Sequence, residues 1–288
     1  MDIEILKHQK KEIIKKYGPW TAHNIQLGDN IYTIDNRLVG DEIKLRRIVQ
    51  ILSDIACKPM ENLRILDLAC LEGLYAVEFA QHGAKVTAIE GREANIEKAR
   101  FVKDALSLDN LDLHLDDVRN LSRERYGAFD AVLCLGILYH LDSPDVFLFM
   151  DNIASVCDHY LILDTHISTS AEEFYVSNGK KYRGKYYKEH SPESSREERL
   201  SAVWASLDND RSFWLTRQSL YNLLTHSGFT TVFECHTPAE SQKPDDRFTL
   251  LAIKGRPETL LSSQVANSQP ISDYPEIQTE NPQVKGID

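Results

Sequence analysis

The sequence predicts an α/β protein: a largely parallel sheet with an antiparallel closing hairpin and helices on both faces. Three observations predict it. Arg64 to Leu68 reads as a buried strand running into a tight turn and a helix, Leu74 to Gln81, whose start is marked by Gly73. Farther along, a second apolar run, Lys85-Val-Thr-Ala-Ile89, ends on the acid Glu90, followed by Gly91. The third is Phe129 to Leu135, whose unbroken centre Ala-Val-Leu-Cys-Leu suits a central parallel strand buried on both faces. A strand that feeds a helix N-terminus points backbone N–H groups into the crevice where α/β sheets hold nucleotide-like ligands. An acid at the tip of the next strand can accept both hydroxyls of a ribose.

A length of 288 residues suits one α/β domain with additions, or two small ones. With 42% hydrophobic and 27% charged residues, the composition is that of a soluble globular protein. No apolar run approaches the roughly 18 residues of a membrane span. The first residues, Met1-Asp-Ile-Glu-Ile-Leu-Lys-His8, mix charges into apolar positions and lack a secretory centre, so the expected location is the cytoplasm. The 5 cysteines are odd in number and lack the paired spacing of a zinc site, as reduced core thiols would. A net charge of −11 argues against a surface that grips nucleic-acid backbones generally. One local exception, Lys180-Lys-Tyr-Arg-Gly-Lys-Tyr-Tyr-Lys188, interleaves cations with aromatics.

Taken in order, residues 3 to 17 form an amphipathic helix stopped by Gly18-Pro19. A polar-aromatic stretch follows, holding Trp20, His23 and Ile31-Tyr-Thr-Ile34. Asp41 to Ala56 has apolar residues at helical spacing and is ended by Lys58-Pro59. After the first two strands, Glu93 to Leu106 is a helix, and Leu111-Asp-Leu-His-Leu115 alternates as a half-buried strand, delivering Asp116-Asp117-Val118 to the sheet rim. Beyond Phe129 to Leu135, the run Gly136-Ile-Leu-Tyr139-His140-Leu-Asp-Ser-Pro144 leaves the sheet at its carboxyl end, where catalytic groups collect. Ser143-Pro144 then opens a helix, Asp145 to Val156, with the serine as its cap. A strand, Tyr160 to Asp164, follows. From Thr165 to Phe213 the periodicity breaks down, which reads as a long functional lid. Thr216 caps a helix from Arg217 to Ser227, and strands Thr230 to Cys235 and Phe248 to Lys254 close the domain. The tail from Arg256 to Asp288 has little hydrophobic pattern and is expected to be disordered. The expected division is a helical cap over 1–61, a catalytic domain over 62–255 with its lid at about 165–213, and the tail.

Asp67, Gly73, Glu90, Asp116-Asp117 and the run from Phe129 to His140, in this order, resemble the class I S-adenosylmethionine-dependent methyltransferases over roughly Asn62 to Lys254. The resemblance implies a Rossmann-like seven-stranded sheet and S-adenosyl-L-methionine as cofactor. It also implies roles: Asp67 for the cofactor's amino group, Ala69 and Cys70 for backbone contacts, and Gly73 for the turn. Glu90 and Gly91 go to the ribose, Asp117 and the Val118 N–H to the adenine, and Leu135 and Gly136 to the methionine part. In many small members of the family the segment before the first strand caps the cofactor, which makes Trp20, His23 and Tyr32 candidate lining residues. The chain departs from the pattern acid-x-Gly-x-Gly-x-Gly, which appears here as Asp67-Leu-Ala69-Cys-Leu71-Glu-Gly73. A leucine where a backbone must approach closely would crowd a pyrophosphate, which counts against a dinucleotide.

Methyl transfer from a sulfonium needs a positioned acceptor and, for a hydroxyl or protonated amine, a group to take its proton. His140 is the first candidate base, Tyr139 the second and His166 the third. Asp164-Thr-His166 offers two possible metal ligands but no third, so no metal is expected. The segments Gly136 to Pro144 and Ser212 to Tyr221 are also similar to a branch containing transfer-RNA wobble-uridine carboxymethyl transferases alongside many enzymes of small metabolites. The acidic balance favours a small-molecule acceptor. The transfer-RNA enzyme, an NAD-binding oxidoreductase and a catalytically silent binding domain remain alternatives.

Overall fold

The computed structural model describes residues 3–35, 42–240, 243–259, 261 and 273–276. The chain opens with α1 (Ile3–Tyr17), a small hairpin of β1 (Gln26–Gly28) and β2 (Ile31–Tyr32), and α2 (Ile43–Ile55). The predicted helix start at Asp41 lies outside the described residues. Alternating elements follow: β3 (Arg64–Leu68), α3 (Leu74–Gln81), β4 (Lys85–Glu90), α4 (Glu93–Leu106), β5 (Leu111–Leu115), α5 (Arg123–Tyr126), β6 (Phe129–Leu135), α6 (Asp145–Val156) and β7 (Cys157–His166). Then come β8 (Glu173–Ser177), β9 (Lys180–Lys188), α7 (Arg196–Ser201), β10 (Arg211–Leu215), α8 (Arg217–His226), β11 (Phe229–Cys235) and β12 (Arg247–Lys254).

Seven strands form the main sheet in the order β11-β12-β7-β6-β3-β4-β5. Strands β3 to β7 run parallel, and β12 is antiparallel to both β7 and β11, as the predicted closing hairpin requires. The chain winds outward from β3 through β4 to β5, then returns to place β6 and β7 on the other side of β3. The direction of winding therefore switches between β3 and β6, where open α/β sheets place ligands. Because β12 runs the other way, its first residue, Arg247, reaches the same edge as the carboxyl ends of the parallel strands.

Successive strand residues point to opposite faces, and each face has its own apolar core. Leu66 and Val132 pack with Phe147 and Met150 of α6 and Leu223 of α8. Ile65 and Leu133 pack with Ile48 of α2, Val77 of α3 and Ile96 of α4. This two-sided burial is why the central strands read as continuous apolar runs.

Three expectations are corrected. The region 165–213 is not an irregular loop; it holds a three-stranded antiparallel sheet in the order β10-β9-β8. The basic-aromatic stretch is its middle strand, with Tyr182 turned inward against Phe147 at 5.0 Å between ring centres. Asn178 and Gly179 both adopt positive φ, 49° and 76°, and make the tight turn between β8 and β9. Ser143 does not cap α6: its hydroxyl lies 3.1 Å from the Tyr186 hydroxyl, and the Asp142 carbonyl accepts the Val146 N–H at 2.9 Å. Of the described tail, Asp273, Tyr274 and Glu276 are docked on α8 and its cap. The Tyr274 N–H donates to Asn222 Oδ1 at 2.6 Å, and Thr216 Oγ1 donates to Glu276 at 2.9 Å, so these side chains supply partners that hydrophobic pattern does not reveal. Most of the remaining tail lies outside the described residues. Thr216 caps α8 as expected, accepting the Ser219 N–H at 3.1 Å.

Candidate functional site

The turn after β3 is shaped by three residues in the left-handed region, Ala69 (φ 55°), Leu71 (φ 52°) and Gly73 (φ 88°). Only the last is a glycine, so Ala69 and Leu71 keep a conformation that costs a side-chain-bearing residue about 1–2 kcal/mol. The turn is held from the next strand: the Cys70 N–H donates to the Ile89 carbonyl at 3.0 Å and the Leu71 N–H to Glu90 Oε2 at 2.9 Å. Above it opens a cavity of about 290 Å³ at the carboxyl ends of β3, β4 and β6.

Asp67, Ala69, Cys70, Glu90, Gly91, Asp117, Val118, Leu135, Gly136, Tyr139 and His140 all line this cavity. Gly73 and His166 do not line it. Gly73 sits behind the wall, where a Cβ would stand 3.0 Å from the Ala99 Cβ; its task is the turn and the packing of α3 on α4. His166 stacks on Trp214 at 5.0 Å, with Nδ1 at 3.0 Å from Asp246 Oδ1, in a separate small hollow. Of the three aromatic candidates in the cap, His23 lines the cavity while Trp20 and Tyr32 do not. Trp20 is instead buried against Phe101, at 5.8 Å.

Asp67 is 1% exposed, and its Oδ2 has no hydrogen-bond partner. Burial, with Glu90 nearby, pushes its carboxyl up to about 7. An orphaned carboxylate oxygen on a cavity wall suits a cationic amino group, as S-adenosylmethionine carries. Glu90 accepts the Arg92 N–H at 2.8 Å and the Asn95 amide at 3.3 Å on Oε1, and the Leu71 N–H at 2.9 Å on Oε2, so Oε2 keeps a lone pair for a further donor. Burial raises this carboxyl too. Asp117 accepts the Arg119 N–H at 2.9 Å and its guanidinium, and thereby caps a short 3-10 turn at Val118–Asn120. Asp116 bonds Asn120 and Tyr126 instead.

Across the cavity lies a lid segment, residues 203–209, that the sequence reading placed in the lid without assigning it to the site. Arg92 tethers it, donating through its guanidinium to the carbonyls of Leu200, Ala202, Ala205 and Ser206 at 2.9–3.2 Å. Gly91 gives Leu207 of the lid room, since a Cβ there would stand 2.9 Å from Leu207 Cδ2.

His140 lies beside this segment, its carbonyl accepting the Asn209 amide at 2.9 Å. Its Nδ1 is 3.0 and 3.1 Å from the two carboxylate oxygens of Glu189, which also accepts the Ser212 hydroxyl and the Ser206 N–H, both at 2.8 Å. Burial alone would raise the Glu189 carboxyl, but these hydrogen bonds hold it below its usual range. A carboxylate on Nδ1 fixes a proton there and leaves Nε2 as the acceptor. Burial raises the Tyr139 phenol above its ordinary value. Asp164 is held by Arg247 Nε at 2.7 Å, Thr249 Oγ1 at 2.8 Å and Lys243 Nζ at 3.3 Å, with Lys44 Nζ 3.7 Å away. These cations hold its carboxyl well below the usual range, and with His166 turned to Asp246 the two do not converge on a metal.

Sequence reasoning missed Glu189, Arg92, Lys44, Arg247 and Glu72. Glu72, 0% exposed inside the turn motif, accepts the backbone N–H groups of Thr21, Ala22 and His23 at 2.7–3.1 Å and pairs with Lys98 at 3.1 Å. His23 Nδ1 in turn accepts the Leu74 N–H at 3.1 Å, using one of the free donors at the start of α3. A signal existed for Glu72 alone: a charged residue inside a buried turn needs partners.

Residues 65–159 match a family model described as a methyltransferase domain. A ubiquinone biosynthesis O-methyltransferase of Methylocella silvestris is 42% identical over 86 residues, 30% of this chain and 33% of that protein. One from Rickettsia typhi is 28% identical over 141 residues, 48% of this chain and 53% of that protein. The chain thus spans about a third to a half of the length of the curated relatives it matches. The N-terminal domain of EvdMO1, solved with SAH bound, is similar with a TM-score of 0.66 and 25% identity, over 88% of this chain and 97% of that one. A 1,6-didemethyltoxoflavin-N1-methyltransferase of Burkholderia thailandensis shares the fold, with a TM-score of 0.51 and 17% identity over 88% and 90% of the two chains.

Proposed function

We propose, for a chain that through residues 65–159 belongs to the class I S-adenosylmethionine-dependent methyltransferases, that it methylates a hydroxyl group of a small-molecule acceptor. The observation that carries this reading is the presence in one cavity of a buried carboxylate with an orphaned oxygen, Asp67, and a carboxylate-oriented imidazole, His140. Asp67 would hold the cofactor's amino group, Glu90 the ribose, the Asp117–Val118 corner the adenine, and Leu135 and Gly136 the methionine part. The cofactor supplies a methyl group on a sulfonium, a good leaving centre for in-line displacement.

What the protein adds is position and a proton acceptor. His140 Nε2 takes the acceptor's hydroxyl proton, while Glu189 fixes the tautomer and stabilises the imidazolium that forms. The lid segment at 203–209 and the cap at His23 exclude water. The similarity to ubiquinone biosynthesis O-methyltransferases supports oxygen as the accepting atom. All five cysteines are free, which supports a reducing compartment, and we place the protein in the cytoplasm. No helix of the described residues is long and apolar enough to cross a membrane.

Calorimetry with S-adenosylhomocysteine tests the cofactor half. Binding by the wild type is expected, and Glu90→Ala should lose about 1.5–3 kcal/mol, the value of hydrogen bonds to a charged group. No binding by the wild type sinks the reading; equal affinity in the two proteins removes Glu90 from the ribose.

A further inference from the structure

We propose that the cavity's end at β7 and β12 seats an anionic group of the acceptor, a carboxylate gripped by Arg247 with Lys44 beside it. This rests on the methyltransferase reading and names the acceptor class: a small hydroxylated carboxylic acid. Both cations line the cavity. Arg247 spends only Nε on Asp164; neither of its terminal Nη groups has a protein acceptor among the described residues. Nη2 lies 3.7 Å from where a Cβ on Gly136 would stand, and the Tyr139 hydroxyl lies 3.6 Å from the same point. Gly136 has no side chain to fill that space, so a ligand oxygen there meets a guanidinium and a phenol together.

Four cations gather at this end, Lys44, Arg47, Lys243 and Arg247, around two carboxylates: Asp164, and Glu240 at 3.2 Å from Arg47 and 3.8 Å from Lys243. Glu42, at 3.3 Å from the Tyr75 hydroxyl, and Asp67, which the Lys44 charge reaches, are two more, so the seat rests on the unspent Nη groups of Arg247 and not on surplus charge. A planar guanidinium edge matches a carboxylate in geometry as well as charge. Position assigns the anion to the acceptor rather than the cofactor. Neighbouring strands lie about 4.8 Å apart, and β7 and β12 lie beyond β6, on the far side of β3 from Glu90.

The test uses S-adenosylhomocysteine-saturated protein titrated calorimetrically with 4-hydroxybenzoate and with its uncharged counterpart 4-hydroxybenzamide. The wild type should bind the acid at least about tenfold more tightly, Arg247→Gln should abolish that preference, and Lys44→Met should reduce it. Affinity for S-adenosylhomocysteine should stay within about twofold in both variants, which also shows that they fold. If Arg247→Gln does not fold, Lys44→Met decides. Acid and amide binding alike, neither binding, or a preference that survives both substitutions overturns the proposal. So does Arg247→Gln weakening S-adenosylhomocysteine but not 5′-methylthioadenosine, which lacks the amino-acid end; the seat would then belong to the cofactor. Failure of the wild type to bind S-adenosylhomocysteine at all would instead remove the methyltransferase reading, and this inference with it.

Discussion

Asp67 illustrates how a binding role is prepared at a cost in stability. Its carboxyl is pushed up to about 7, above the ordinary 3.8, by burial first and then by Glu90. Between about pH 4 and pH 7 the native state therefore keeps a proton that the unfolded chain has released, and stability falls as pH rises through that window. Asp67→Asn, neutral and nearly isosteric, should be more stable than the wild type by on the order of 1 kcal/mol at pH 8 in urea denaturation, yet bind S-adenosylhomocysteine at least about tenfold more weakly. A cationic amino group beside Asp67 favours the carboxylate, so binding at pH 6 should release a proton and affinity should rise toward pH 8. Calorimetry in buffers of different ionisation enthalpy reads that proton directly. His140→Gln and Glu189→Gln should each lower turnover of an accepted hydroxyl substrate by about 10²–10⁴-fold, measured under single-turnover conditions. Near-wild-type rates in His140→Gln would remove it as the base.

At the scale of elements, the lid is a built structure held by several tethers, among them Glu189 at the Ser206 N–H and Arg92. Arg92 follows directly on the Glu90-Gly91 corner and holds the Leu200 carbonyl of α7 and three carbonyls of the segment after it. Glu90, the residue proposed for the ribose, and the lid are thus joined through two residues of backbone. Arg92→Ala should speed limited proteolysis within residues 196–209, and S-adenosylhomocysteine should protect the wild type more than the variant. Equal cleavage of the two free proteins would show that the Arg92 tether does not hold the lid. The sheet of the lid region escaped sequence reasoning because its middle strand alternates cations with tyrosines and a glycine, not apolar with polar residues. Gly184 lies where a Cβ would stand 2.2 Å from the Trp214 carbonyl, so its place in a strand is set by a neighbour, not by propensity. The Asn178-Gly179 pair was the legible clue to this hairpin.

For the whole molecule, two buried ionic hubs bind the N-terminal region to the sheet. Glu72 gathers the segment at residues 21–23 and Lys98, and Arg47 of α2 joins Glu240, Thr249 and the Pro238 carbonyl, about 190–200 residues away. Glu72→Ala would leave Lys98, 3% exposed, without its carboxylate and three backbone N–H groups without an acceptor. The expected loss is about 3–5 kcal/mol by urea denaturation, with weaker S-adenosylhomocysteine binding as the cap loosens. A loss below about 1 kcal/mol would show that the cap is held by apolar packing instead.

What the sequence determined by itself was whatever a local pattern can encode. The strands at 64–68, 85–90 and 129–135, the helices between them, the closing hairpin and the acids at strand ends follow from periodicity and order along the chain. Gly73 and Thr216 could be read because a turn or a cap is made by residues close in sequence. Only the tertiary structure decided which of those groups share a cavity. It set Glu189 on His140 across 49 residues, brought Arg247 to the edge of the parallel strands by reversing β12, and turned His166 away onto Trp214. Such pairings depend on how distant segments cross at the sheet's edge. A single chain carries no periodic signal for them, because the energy that selects them is shared between residues that the sequence does not place together.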